Sequence, residues 1–504
     1  MIEFTHLIDL ASSRYGGRVI AANDEFFAPK ENLLKPEPPI YLPAKYTDRG
    51  KWMDGWETRR RRTPGCDWCV IRLGLPGLVR SVVVDTAYFR GNYPAQCSIE
   101  GCALGPYMDD EALVAVQAAW WPLLPPSELW GDTQNVFPIV DSRRCTHLRL
   151  NIYPDGGVAR FRVKGEALPD LGRVFAAGGE IDLASAAAGG CVVDTSDRFY
   201  GDPQNMLRSD PAPHMADGWE TRRRRGPGHD WAVIRLGVEG TIRRVEVDTA
   251  HFKGNYPDRC SVEAGCLESP YGAPEDVGPI RWVPVVTEAP LRADYQHVFE
   301  REVWPDVVAT HVRLNIFPDG GVSRFRVFGM VTPRGRHSAQ LRLFNAMDDA
   351  AVRQALADCF GSQGWVERVA GSRPFQTMDE VLTAAEAVWG TLPPDDWLEA
   401  MRHHPRIGER RAEREISAAS RAWSDAEQAS ALADAHAVNE LREANARYEA
   451  RFGHVFVIAA EGKGLPQILD ALRSRLSHPP DEELAIAARE LRQIARLRLE
   501  KLLS

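Results

Sequence analysis

Asp54-Gly-Trp-Glu-Thr-Arg-Arg-Arg-Arg62 recurs unchanged as Asp217-Gly-Trp-Glu-Thr-Arg-Arg-Arg-Arg225, 163 residues downstream. The register then holds. Val70-Ile-Arg-Leu-Gly74 returns as Val233-Ile-Arg-Leu-Gly237, and Asp85-Thr-Ala-Tyr-Phe-Arg-Gly-Asn-Tyr-Pro94 as Asp248-Thr-Ala-His-Phe-Lys-Gly-Asn-Tyr-Pro257. After one inserted residue, Thr146-His-Leu-Arg-Leu-Asn-Ile-Tyr-Pro-Asp-Gly-Gly157 returns as Thr310-His-Val-Arg-Leu-Asn-Ile-Phe-Pro-Asp-Gly-Gly321. The lead-in is duplicated as well: Asn23-Asp-Glu-Phe-Phe27 and Asn32-Leu-Leu34 correspond to Ser196-Asp-Arg-Phe-Tyr200 and Asn205-Met-Leu207. A period this long marks duplicated domains, not solenoid units.

Each copy is punctuated as a β protein. Short Val/Ile/Leu/Arg runs are broken at Leu75-Pro-Gly77, Gly91-Asn92 and Pro154-Asp-Gly-Gly157, which predicts turns there. Residues 147–152 alternate, with His147, Arg149 and Asn151 on one face and Leu148, Leu150 and Ile152 on the other. Two antiparallel jelly-roll (galactose-binding-like) sandwiches are expected, over 1–172 and 173–333. After Val331-Thr-Pro-Arg-Gly-Arg-His337 the texture becomes Ala/Leu/Glu/Arg segments of helical period, at 346–360, 377–390, 395–403, 424–450, 465–477 and 481–502. Leu382, Ala385 and Trp389 form an amphipathic stripe in the second of these. The expected fold is therefore multidomain: two all-β repeats followed by an all-α domain over 337–504.

With 504 residues, 44% hydrophobic and 26% charged, the chain reads as ordinary globular protein of about three domains. Its net charge of −9 argues against nucleic acid as a partner. No apolar run reaches bilayer-spanning length, so no membrane association is expected. The charge-interrupted N-terminus is not that of a signal peptide, and Leu502-Leu503-Ser504 is not a peroxisomal address. Cys66-Asp-Trp-Cys69 becomes His229-Asp-Trp-Ala232 in the second copy, so the nine cysteines read as reduced thiols of a cytoplasmic protein.

The repeated motifs resemble allantoicase across about residues 10–332. The resemblance implies hydrolysis of allantoate to ureidoglycolate and urea. The residues suit such a substrate. Guanidinium groups bind carboxylate bidentately, Asp, Glu and Asn accept from ureido N–H groups, and expelling urea calls for a proton donor. Glu220 and His251 are the candidate catalytic residues; His251 replaces the first copy's Tyr88. Candidate substrate-binding residues are Glu57, Arg60, Arg223, Asn255, His311 and Asp319. Four consecutive arginines on a strand alternate faces, so at most two can line one pocket. Asp155 and Asp319 are first of all turn residues.

Residues 340–504 resemble the 2-oxo-4-hydroxy-4-carboxy-5-ureidoimidazoline (OHCU) decarboxylases. The pieces that carry the resemblance are Cys359-Phe-Gly-Ser-Gln-Gly-Trp365, Arg373-Pro-Phe375, His403-His-Pro-Arg-Ile-Gly408, Ser424-Asp-Ala-Glu-Gln428, Asn445-Ala-Arg-Tyr-Glu-Ala-Arg-Phe-Gly453 and Leu497-Arg-Leu499. That family is helical, cofactor-free and forms S-allantoin. Carried over by position, His404 is the acid–base residue, Glu427 and Arg498 are catalytic, and Ser424, Gln428, Pro374, Phe375, Phe452 and Gly453 bind substrate. Pro405 disfavours helix at His404, which places the imidazole at a helix end. Ser424-x-x-Glu427 also reads as a capping box.

The whole reads as a bifunctional enzyme of urate degradation acting on small molecules, cytoplasmic and homo-oligomeric. No cofactor is expected, although the allantoicase half leaves room for a divalent metal; no His-rich spacing supports one. The alternative is that the jelly-roll repeats are a carbohydrate-binding or assembly module, with Trp56, Trp68, Trp219 and Trp231 as stacking platforms, and that only the decarboxylase is active.

Overall fold

One nineteen-residue strand, Asp67–Asp85, sets the architecture of the first repeat. Its first half pairs with Arg18–Ala22 and Arg144–Tyr153, its second half with Gln134–Pro138 and Arg160–Ala167, all antiparallel. A single strand thus serves both layers of a sandwich. The second repeat does the same with Asp230–Asp248. The expected turn at Leu75-Pro-Gly77 is absent. Pro76 and Gly77 lie inside the strand, at the point where it exchanges one set of neighbours for the other. A Cβ on Gly77 would fall 2.1 Å from the Glu166 carbonyl oxygen, so only glycine admits that crossing.

The computed structural model describes residues 7–104, 120–268, 280–404, 406, 435–460 and 463–503. The chain forms two compact units, Met1–Ala346 and Met347–Ser504. Among the described residues the first is all-β apart from short 3-10 turns, the short helix Gly172–Ala177 and the terminal helix Pro333–Asn345, and the second is helical. Both fold classes agree with the sequence reading. The terminal helix of the first unit covers the start of the all-α domain expected from residue 337, and the division falls after Ala346 instead. Thr332 caps it, accepting from the Gly335 N–H at 2.9 Å, with Pro333 in the first turn.

Leu148, Leu150 and Ile152 are fully buried, as the alternation predicts. They belong to one hydrophobic cluster that runs without a break from Ile8 through both repeats to Ala339. Polar ties cross the same seam. The Glu166 carboxylate takes Arg80 of its own repeat at 2.8 Å and Arg235 of the second at 3.8 Å. Arg14 reaches across to Asp217.

Among the described residues of the second unit the helices are Asp349–Cys359, Gln363–Ala370, Met378–Trp389, Pro394–His403, Ala435–Phe452, Leu465–Arg475 and Pro480–Leu502. Gln363–Ala370 has no counterpart in the sequence reading. It is two turns long and carries Gly364, and its start is fixed by the Ser362 side chain, which accepts from the Trp365 N–H. Phe456 and Ile458 are core, with Phe452 packed against them. The buried Glu483 ties three helices together, binding Tyr448, Arg475 at 2.7 Å and His478 at 2.9 Å. No described helix is long and apolar enough to cross a membrane.

Candidate active sites

In each repeat the duplicated motifs converge on one corner. Trp56–Glu57 pairs with Gly157–Val158, and Glu57 bridges Ala28 on its other side. The Thr58 N–H donates to the Gly156 carbonyl (3.1 Å), and the Gly157 N–H to the Asn92 carbonyl (2.8 Å). The Asn92 side chain donates to the Glu57 carboxylate at 2.7 Å. The second repeat repeats each contact: Thr221 to Gly320, Gly321 to Asn255, and Asn255 to Glu220 at 2.6 Å. The Gly-Gly turn is obligatory. Gly156 has φ 143°, and a Cβ on Gly157 would sit 2.0 Å from the Phe89 ring.

The arginine run is not on a strand. It is an irregular segment, and acids from three directions fix it. Arg59 binds Asp24 (2.6 Å), Arg61 binds Asp67 (2.8 Å), and the Arg61 N–H donates to Asp155 (2.8 Å). Arg222, Arg224 and Asp319 match them with Asp197, Asp230 and the Arg224 N–H. That leaves Arg60 and Arg62, and in the second copy Arg223 and Arg225, exposed, with no ion pair or hydrogen bond among the described residues. Each corner therefore sets a hydrogen-bonded glutamate a few residues from an uncommitted guanidinium. Burial pushes the Glu57 carboxyl above the usual carboxylate range, and the Asn92 N–H offsets part of that.

Beneath each corner lies a buried ion pair that sequence reading missed. Arg160 holds Asp54 at 2.7 Å, and Arg324 holds Asp217 at 2.8 Å. Both arginines also donate to the aspartate's own backbone carbonyl, which anchors the start of the Gly-Trp-Glu strand. The signal was present: Arg160-Phe-Arg162 and Arg324-Phe-Arg326 are themselves a repeat.

His251 sits on the Asn255 loop in left-handed backbone (φ 70°), as Tyr88 does (φ 67°). Its Nε2–H donates to the Ala212 carbonyl at 2.7 Å. His311 is elsewhere. It faces Arg235 in the sheet register, six residues before Phe317 and thus roughly 20 Å along the strand from the corner. It does not join Glu220. Burial, with Arg235 beside it, pushes its imidazole down to about 4. The unfolded chain takes up this proton near 6.5 and the folded chain does not, so stability falls as pH drops from about 6.5 toward 4, by up to about 3 kcal/mol. Denaturant midpoints at pH 7 and pH 5 are expected to differ less in His311→Gln than in the wild type.

The proposed tryptophan platforms fail for two of four residues. Trp56 and Trp219 are wholly buried, their indole N–H groups donating to the Asp24 and Asp197 carbonyls. Among the described residues, no group of three or more His, Cys, Asp or Glu side chains is placed to hold a metal ion. Cys66 and Cys69 are free thiols, the latter buried.

In the helical unit His404 follows directly on Pro394–His403, extended (φ −81°, ψ 131°) and buried. Arg498 is 3% exposed and donates to the Asp358 carbonyl at 3.3 Å. The following Gly361 lies against His403; a Cβ there would meet the His403 Cβ at 2.8 Å. Arg406 grips Glu449 through two hydrogen bonds (2.7 and 2.6 Å), one turn before Phe452 and Gly453. The segment 358–361 thus touches His403 at one end and Arg498 at the other, and Arg406 ties to the Ala435–Phe452 helix through Glu449. Pro374 and Phe375 line a separate shallow cleft of about 420 Å³. It adjoins a larger one of about 580 Å³ between Met378–Trp389 and Pro480–Leu502. His404 and Arg498 belong to neither lining. Ser424, Glu427 and Gln428 lie outside the described residues. Arg406→Ala is expected to lower kcat for decarboxylation about tenfold with little loss of melting temperature, measured by initial rates beside a thermal melt.

The allantoicase repeat model matches residues 8–168 and 181–332, and the OHCU decarboxylase model matches 345–500. A probable allantoicase of Burkholderia mallei is 46% identical over 329 residues, covering 65% of this chain and 96% of that protein. One of Pseudomonas aeruginosa is 45% identical over 326 residues, covering 65% and 96%. The crystal structure of Saccharomyces cerevisiae allantoicase is 36% identical with a TM-score of 0.53, covering 64% of this chain and 92% of that one. With two copies of the allantoicase repeat followed by an OHCU decarboxylase domain, the chain belongs to the allantoicase family and is an enzyme of allantoin and urate catabolism, a hydrolase joined to a lyase.

Proposed function

We propose that the β unit hydrolyses allantoate to ureidoglycolate and urea, and that the helical unit decarboxylates OHCU to S-allantoin. The observation that carries the first half is the duplicated corner, where a hydrogen-bonded glutamate precedes by three residues a guanidinium with no carboxylate of its own. An exposed, unpaired Arg60 or Arg223 takes the allantoate carboxylate bidentately. The glutamate, in its acid form, delivers a proton to the departing ureido nitrogen as the bond from the central carbon breaks. Water oxygen takes the vacated position on carbon, its proton returning to the carboxylate. Asn92 or Asn255 fixes the glutamate, and His251 stands at the rim of the second corner.

For the second half, the C–C bond to the OHCU carboxylate breaks and its electron pair is delocalised into the ring carbonyl, where Arg498 stabilises it. His404 delivers the proton to one face of that carbon. Family position adds Glu427, Ser424 and Gln428. The two steps are not consecutive: allantoin must be ring-opened by another hydrolase before the β unit can act, so no channel is required.

The test is urea release from allantoate by the full chain, with and without chelator, beside stereospecific allantoin formation from OHCU. Loss of urea release on chelation would add a metal to the site. No urea release from folded, metal-replete protein would leave the repeats as a binding or assembly module.

A further inference from the structure

The two corners are alike at their base but not above it. From Asn32 to Asp54 the first repeat runs 22 residues, while its counterpart from Asn205 to Asp217 runs 12, so the first copy carries ten extra residues. They build a small hairpin, Tyr46–Thr47 paired with Gly50–Lys51. On one side Tyr41, at the hairpin's root, stacks on Tyr88 of the Asn92 loop, with ring centroids 5.4 Å apart. On the other side Arg49 donates to the Phe26 carbonyl at 2.9 Å and lies over the Phe26 ring. Glu57 lies between those two anchorages: the Phe27 N–H donates to its carbonyl, and Asn92 binds its carboxylate. The hairpin therefore spans the Glu57 corner from wall to wall.

In the second repeat the shorter segment meets the corner, among the described residues, on the loop side, through Ala212 to His251 and Met215 to Asn255. The opposite wall stays open. Phe199 and Tyr200 are 62% and 61% exposed, whereas Phe26 is 38% exposed under the hairpin and Phe27 is half-buried. The roof also has a sign: residues 41–52 hold Lys45, Arg49 and Lys51 against the single acid Asp48.

We propose that the corners have divided their labour: the first repeat's corner, closed over by the cationic hairpin, is where the anionic substrate is retained and cleaved, with Glu57 as the proton donor and Arg49 and Lys51 as specificity-determining cations above it. This rests on the allantoate reading given above. The roof brings Arg49 and Lys51 to the corner that already holds Arg60, so three cations bear on one carboxylate while Glu57 stays half-buried. The second corner, with Glu220 equally half-buried, lacks the roof's cations. The Tyr41–Tyr88 stack and the Arg49–Phe26 contact are the two points at which the roof is held.

The experiment is steady-state urea release from allantoate by the full chain and four variants, with thermal melts to verify folding. Arg49→Ala/Lys51→Ala is expected to raise KM about tenfold with kcat changed less than threefold, and Arg49→Lys alone to recover most of the affinity. Glu57→Gln is expected to cost at least a hundredfold in kcat, and at least ten times more than Glu220→Gln costs. The inference is overturned if Glu220→Gln costs as much as Glu57→Gln, or if the folded double hairpin variant keeps the wild-type KM. Wild-type protein that releases no urea overturns the allantoate reading and this inference together, whereas an active wild type with the wrong variant pattern overturns the inference alone.

Discussion

His404→Ala in the full chain is expected to lower OHCU decarboxylation by at least a thousandfold while urea release from allantoate stays at the wild-type rate. The imidazole is buried at the point where Pro394–His403 has ended, and the 358–361 segment packs against its neighbour His403. Truncation leaves the helix intact and removes the proton carrier. General acid–base groups contribute typically about 10² to 10⁴ in rate, and a proton that must arrive on one face puts this one at the upper end. The readout is spectroscopic loss of OHCU together with the handedness of the allantoin formed. His404→Asn preserves much of the volume and the polarity and is expected to be equally inactive. Stereospecific decarboxylation retained by either variant would move the proton donor elsewhere.

The largest expected effect on stability is that of Asp217→Ala. The Asp217 carboxylate is buried and shared by three guanidinium groups: Arg208 at 2.6 Å, Arg324 at 2.8 Å and Arg14 from the other repeat. Arg324 is itself fully buried. Removing the carboxylate leaves Arg324, among the described residues, only the looser Asp210 carboxylate at 3.6 Å, which costs about 3–5 kcal/mol and lowers the melting temperature by roughly 5–10 °C. Asp54→Ala is expected to cost less, because one of its partners, Lys35, is 46% exposed and returns to water. Arg14→Ala is expected to cost least, since Asp217 keeps two partners. Denaturant midpoints of the three variants give the order directly, and an Asp54 effect larger than that of Asp217 would contradict this account.

The duplication and the split into β and helical units were plain in the sequence because they rest on identity of motifs and on local period. The Leu148–Leu150–Ile152 alternation and the Pro405 break at His404 were legible for the same reason: each is decided by neighbours in the chain. What stayed hidden depends on distant partners. Leu75-Pro-Gly77 carries turn residues, yet it continues a strand because neighbours on both layers supply its hydrogen bonds. The arginine run suggested an alternating strand; Asp24, Asp67 and Asp155, each far away in sequence, decide which cations are consumed and which remain. Trp56 and Trp219 suggested ligand platforms because nothing local to Gly-Trp-Glu reveals that the indole faces the core. The ten-residue difference between the lead-ins was countable from the start, but its meaning needed the two anchorages of the hairpin.

The seam between the repeats has an evolutionary consequence. An interface between identical subunits is bound by symmetry, so every substitution appears on both sides at once. Here one side offers Arg14 to Asp217, while the position that matches Arg14 in the second copy is Ala187, whose methyl group carries no charge. Two separate chains of one gene could not hold such a contact on one side only. Within a single polypeptide that symmetry does not apply, and each half can carry its own changes. The halves have thereby become complementary parts that can no longer be exchanged for one another.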